Sequence, residues 1–148
     1  MTEQRQLREE RLLCATDGSA VSEKAVSYTI GLAEQTGQSV TILLIADGAL
    51  EAQPQVWDEA KIKAGDLPPD KELLAALQYA LEHNLLRLRL VRAFGADPAE
   101  AIVAYAERNG YHHIIVGSAG LTGARRMLLG SVAADVVTRA HCPVTIVR

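Results

Sequence analysis

Aromatic residues are scarce: one Trp, one Phe and four Tyr make up 4% of the 148 residues. Basic excess is missing too, since 15 Lys and Arg stand against 18 Asp and Glu, a net charge of −3. A protein that binds nucleic acid uses cationic surface, often with aromatic faces for the bases, so both shortages argue against one. Cysteine is limited to Cys14 and Cys142, far apart and without a CxxC pairing, which supports neither a zinc site nor a disulfide framework. Cys14 lies inside an apolar run and reads as a small buried hydrophobe. The longest apolar runs are far too short to span a bilayer. Residues 1–10 are of mixed charge with no apolar stretch, so no signal peptide is expected and a cytoplasmic location is. They read as a charged leader to a single domain over residues 11–148.

What is abundant is aliphatic. Hydrophobic residues reach 49% and charged ones 22%, which excludes general disorder. A core of Ala, Val, Leu and Ile suits helices packed on a sheet. Residues 11–16 (RLLCAT) read as a buried strand ending at the Asp17-Gly18-Ser19 turn, which also offers helix N-caps. Val21, Ala25, Tyr28 and Leu32 recur at helical spacing, and Gly37 stops that helix. Residues 39–46 (SVTILLIA) form a second strand. Residues 47–70 hold three prolines, two glycines and the only Trp, and read as a long irregular loop with a short helix around 57–63. Leu73, Leu74, Leu77 and Leu81 place a helix over 69–83. Over 86–93, Leu86, Leu88 and Leu90 alternate with Arg87, Arg89 and Arg92 less cleanly, which predicts a half-exposed edge strand. Asp97-Pro98-Ala99-Glu100 is a helix start of the capping-box kind, and Asn109-Gly110 ends that helix. Residues 111–117 give a fourth strand, 131–141 a last helix and 143–148 a terminal strand. Strands separated by helices imply parallel pairing, so the fold class is α/β: a doubly wound parallel sheet whose ligand site lies beyond the strand carboxyl ends at the switch point.

The chemistry concentrates in Gly117-Ser118-Ala119-Gly120, then nine residues, then Gly130-Ser131. After a strand and before a helix, glycines let backbone N–H groups approach an anion, and the helix start adds free N–H groups and a positive dipole end. Ser131 is placed to donate to a phosphate oxygen or to cap the last helix, and the two roles are compatible. No Gly-Lys-Ser/Thr triplet makes this a Walker A loop, and it is not GxGxxG. Asp17, at the end of the first strand, is placed either to accept from a nucleoside or to serve the turn. Arg125 and Arg126 are placed to neutralise phosphate or to face water. His112 and His113, adjacent near a strand start, point to opposite faces and do not make a joint metal site. His141 suits the last helix carbonyls, and Trp57 suits an anchor for the long loop.

Together these segments resemble the universal stress proteins, UspA-like domains. The likeness rests on residues 12–19 (LLCATDGS), 95–100 (GADPAE), 114–120 (IIVGSAG) with 130–132 (GSV), and 141–144 (HCPV). The intact G-x2-G-x9-G-S/T signature resembles the ATP-binding subclass. The resemblance implies a five-stranded sheet of order 3-2-1-4-5, a Rossmann-like, adenine-nucleotide alpha hydrolase-like fold. It implies ATP, with or without Mg²⁺, as ligand. Ala15, Thr16 and Asp17 would line the adenosine site, and Ala46 would meet adenine through its backbone. Val116, Gly117 and Gly120 would line the ribose and phosphate path, and Gly130, Ser131 and Val132 would cradle the phosphates. It also implies a homodimer through the terminal strand, Val144 to Val147, which nothing later in the chain covers. Tyr111-His112-His113 departs from the family pattern, and residues 47–70 are the least family-like.

The expected role is a nucleotide-responsive regulator in stress response, in which bound ATP orders residues 120–130 and the 47–70 segment for an unnamed protein partner. No nucleic-acid partner and no membrane insertion are expected. One rival is a slow ATPase or self-phosphorylating protein, for which there is no general base near Ser131 and no acidic pair for Mg²⁺ beyond Asp17, so no catalytic residue is assigned. Others are an interaction module indifferent to nucleotide and a soluble accessory to a transporter.

Overall fold

The computed structural model describes residues 11–85, 87–119 and 129–148. Gly120, Arg125 and Arg126 lie outside them. The elements run β1 (Arg11–Ala15), α1 (Ala20–Thr36), β2 (Ser39–Ala46), β3 (Gln55–Trp57), α2 (Glu59–Lys63), α3 (Lys71–Glu82), β4 (Leu88–Phe94), α4 (Pro98–Arg108), β5 (Ile114–Gly117), α5 (Ser131–Arg139) and β6 (Val144–Val147). Among the described residues the sheet has six strands in the order β3-β4-β2-β1-β5-β6. Five pair in parallel, and their order is the expected 3-2-1-4-5.

The sixth strand corrects the reading of residues 47–70. Val56 faces Val91 and Trp57 faces Leu90 in an antiparallel pair, so β4 is not the edge. The half-polar pattern of β4 has another cause. Arg92 pairs with Asp70, the residue before α3, donating through Nε at 2.9 Å and through a second, shorter bond. It also donates to Gln55 Oε1, and its guanidinium lies 5.3 Å from the centre of the Trp57 ring. One arginine thus ties β3 and the start of α3 to β4. Trp57 does anchor the segment, as expected, and packs against the core.

Two cores cover the two faces. Leu12, Cys14, Ile42 and Leu90 meet Ile30 of α1 and Leu73 of α3 on one side. Leu13, Leu43, Val91 and Ile114 meet Ile102 of α4 and Val136 of α5 on the other. Leu12, Leu13 and Cys14 are all fully buried, which is why β1 reads as an unbroken apolar run. Burying a leucine side chain contributes about 1.5–3 kcal/mol, so this central strand is a large part of the fold's stability. Burial pushes the Cys14 thiol up to about 12, which makes it an inert core residue. Helix ends follow the local signals. Asp97 accepts from Glu100 N at 3.3 Å, and Gly37, left-handed at φ 76°, donates to Ala33 O at 2.8 Å.

Candidate functional site

The chain leaves β1 through Thr16-Asp17-Gly18-Ser19, and short polar side chains hold the turn. Ser19 N donates to Asp17 Oδ1 at 2.9 Å, and Gly18 N donates to Thr16 Oγ1 at 3.3 Å. Ser19 caps α1 by accepting from Ser22 N at 3.2 Å. Ser22 Oγ donates to Ser19 O at 3.0 Å and accepts from Asp17 N at 3.3 Å. Its only proton being used, the 3.1 Å contact with Thr16 Oγ1 is donated by Thr16. Gly18 sits at φ +81°, and a Cβ there would come within 2.9 Å of Glu72 Cγ. The turn is therefore fixed from both sides, with exposed Asp17 at its tip.

Across the switch point, β5 ends on Gly117. A Cβ there would lie 2.9 Å from Val21 Cγ1, 3.0 Å from Val21 C and 3.1 Å from Ser22 N, so only glycine lets β5 close on α1. Ser118 N then donates to Val147 O at 2.7 Å, and Gly130 N donates back to Ser118 O at 2.7 Å. Gly130 is the N-cap of α5, and its own carbonyl accepts the first helical bond from Ala134 N at 3.0 Å. Ser131 is thus the first helical residue and not the cap, which corrects the capping role read for it. Gly130 has no side chain to cap the helix, and the N–H groups of Ser131, Val132 and Ala133 belong to the turn that finds no partner within a helix.

These pieces surround one cavity of about 400 Å³ at the carboxyl ends of β1, β2 and β5. Of the residues expected at the site, Ala15, Thr16, Asp17, Val116, Gly117, Gly130, Ser131 and Val132 line it. Ala46 does not; its carbonyl accepts from Gly95 N at 3.1 Å, and Ile45 before it supplies the wall. Gly120 is outside the described residues. Sequence reasoning missed Ser22, Pro98 and Ile102, which also line the cavity. A Ser three residues after an N-cap Ser was a visible signal for the first; the other two reach the cavity only through the packing of α4. None of residues 47–70 is among the described lining, so the segment borders the sheet and does not cover this cavity.

The wall is electrically spare. Among the described lining residues Asp17 is the one ionisable side chain, and aliphatic groups of Ala15, Ile45, Ile102, Val116 and Val132 face it. The histidines stand elsewhere. His113 Nε2 meets Thr145 Oγ1 at 2.7 Å, and burial lowers its pKa. His112 is exposed, and His141 lies 3.8 Å from Glu107 instead of on the helix carbonyls. Among the described residues no group of three or more His, Cys, Asp or Glu could hold a metal ion.

Such a cavity, with a turn carboxylate, an aliphatic wall and an uncapped helix start, is a nucleotide-shaped combination on a doubly wound sheet. The family model for universal stress proteins matches residues 9–148. The chain belongs to the universal stress protein family. It is 30% identical to a universal stress protein of Methanocaldococcus jannaschii, covering 93% of this chain and 81% of that one. It is also 30% identical to universal stress protein YxiE of Bacillus subtilis, over 93% and 98% of the two chains. Among solved structures it resembles a universal stress protein in complex with cAMP, at 26% identity, TM-score 0.66 and coverage of 93% and 95%. The fold matches an Archaeoglobus fulgidus universal stress protein in complex with dAMP, at 21% identity, TM-score 0.66 and coverage of 96% and 99%. No helix among the described residues is long and apolar enough to cross a membrane.

Proposed function

We propose that this universal stress protein binds ATP in the cavity at the carboxyl ends of β1, β2 and β5 and acts in the cytoplasm as a nucleotide-responsive regulator of stress response. The observation that carries the reading is the start of α5: Gly130 leaves the helix uncapped, and it opens on the same cavity as Asp17 and the aliphatic wall. Ile45, Ile102 and Val116 suit the faces of adenine, and Asp17 suits a ribose hydroxyl or base amine. The N–H groups of Ser131, Val132 and Ala133, with the helix dipole, suit phosphate oxygens. Relatives in complex with cAMP and dAMP support an adenine nucleotide as the ligand class. Asp17, the one carboxylate among the described lining residues, would be the side chain to hold a Mg²⁺ ion, which would supply positive charge to the phosphates.

Binding, not turnover, is the proposed activity, because the described wall offers no histidine and one carboxylate. Among the described residues β6 is the edge of the sheet, with Val144 and Ile146 half-buried, and pairing with a second copy would cover it. Mass spectrometry of the small molecule released from purified protein tests the ligand. An adenine nucleotide is the expected species. A sample that carries none, and that takes up none at millimolar ATP, sinks the reading. A phosphate-release assay comparing wild type with Ser131→Ala tests the second half: equal, background rates are expected.

A further inference from the structure

The opposite end of the sheet carries a second cavity, of about 300 Å³, lined by Arg11, Ser39, Thr41, Arg87, Leu88 and Arg89, with Val40 behind and the start of α2 completing the wall. The register explains why the arginines meet. Arg11 of β1 faces Ser39 of β2, and Val40 faces Leu88 of β4, so the position facing Ser39 on the β4 side is Arg87. Thr41 faces Arg89 one step further along. Alternation puts Arg11, Ser39, Arg87, Arg89 and Thr41 on the same side of the sheet. With strands about 4.8 Å apart, Arg11 and Arg87 stand about 10 Å apart at Cα with a serine hydroxyl between them.

Two of the arginines are held in place. Arg11 donates to Asn109 O at 2.6 Å and lies 4.4 Å from the centre of the Tyr111 ring, and Tyr111 is itself fixed by a 2.6 Å hydroxyl contact with Thr41. Arg87 donates to Gly37 O at 2.9 Å. Each of these contacts uses one of five guanidinium donors, which leaves the rest for a ligand. No carboxylate of the described residues lies within ion-pair distance of Arg11, Arg87 or Arg89. Asp58 and Glu59 line the cavity, but Asp58 Oδ1 accepts from Lys61 N at 2.9 Å. Three cations that make no ion pair among the described residues form a receptor for an oxyanion, and guanidiniums match phosphate oxygens bidentately.

We propose that Arg11, Ser39, Arg87 and Arg89 form a second site, which takes a phosphate group: the free ion or the head of a small phosphorylated metabolite. Asp58 and Glu59 on the wall keep the ligand small, because a longer polyanion would run into like charge. The site stands at the amino ends of the strands and does not depend on what binds at the carboxyl ends.

The test is a titration of the full-length protein with sodium phosphate at fixed ionic strength, followed through backbone amide resonances. Saturable shifts at Arg11, Ser39 and Arg89 are expected, with affinity falling about tenfold in Arg89→Gln, the loss of one charge-assisted pair. Ser39→Asp, which places a negative charge between Arg11 and Arg87, is expected to abolish the shifts, and serves if Arg89→Gln does not fold. Glycerol phosphate run in parallel separates the sources: tighter binding of the ester assigns the site to metabolites, and tighter binding of phosphate assigns it to the free ion. No saturable shift with either, shifts confined to residues 131–133, or unchanged affinity in both variants overturns the proposal.

Discussion

At the carboxyl ends of β1, β2 and β5 the described cavity wall offers backbone N–H groups, small side chains and one carboxylate. At the amino ends of β1, β2 and β4, the wall of the other cavity offers three guanidiniums, with Asp58 and Glu59 on its rim. Both suit anions by different physics. The first relies on an uncapped helix and on glycines that let backbones close up, so its chemistry is bound to the fold itself. The second relies on side chains that the register of three strands brings together. The mildly acidic composition therefore does not exclude phosphate recognition at either end.

The largest effect is expected from Gly117→Val. The new side chain meets the Val21 and Ser22 backbone at about 3 Å, where nothing flexible can yield. Overpacking of this kind costs about 1–3 kcal/mol. Denaturant unfolding should show that loss, and nucleotide binding should fall with it. A variant of wild-type stability that still binds would mean that the carboxyl end does not depend on close backbone contact. Next comes Asp70→Ala, which leaves the Arg92 side chain, 16% exposed, without its carboxylate. A loss of about 2 kcal/mol is expected, near the worth of a charged hydrogen bond, with nucleotide affinity unchanged because residues 47–70 do not reach the cavity. Weakened nucleotide binding would join the two regions held separate above.

Thr41→Val removes the buried partner of the Tyr111 hydroxyl at the arginine end and is expected to cost about 1 kcal/mol by the same measurement. The smallest effect concerns pH. Burial holds His113 below its ordinary value of 6.5, so the unfolded chain takes up the proton first. Stability is then full above pH 6.5 and falls as the pH drops from there through the folded-state value. Melting temperature against pH should lose that slope in His113→Gln; an unchanged slope would assign it to another group.

Much of this was legible in the residue order, and the exceptions have physical causes. The helix starts at Asp97 and Ser19 and the apolar run of β1 were visible because a cap and a doubly buried strand are local facts. The cavity at the switch point was legible in part, because Gly117 and Gly130, which line it, stand where the backbone needs close approach. β3 was not, because Gln55–Trp57 is three residues long and is a strand only by virtue of the neighbour it pairs with. For the same reason Arg92 looked like the mark of an edge, although its partners, Asp70 and Gln55, are far from it in sequence. Ile45 lines the cavity, and Ala46 after it gives its carbonyl to Gly95 N. The arginine cavity depends on register across three strands, and no spacing within one segment reveals it.

The central claim is that the start of α5 and the β1 turn form one adenine-nucleotide site. Calorimetry of ATP with wild type and with Gly130→Val tests it most directly, since a Cβ at Gly130 would come within 3.2 Å of Ala119 Cα beside the open helix turn. Saturable binding by the wild type, at least tenfold weaker in a folded variant, is the expected result. No heat at millimolar ATP, or equal affinity in the two proteins, would contradict it.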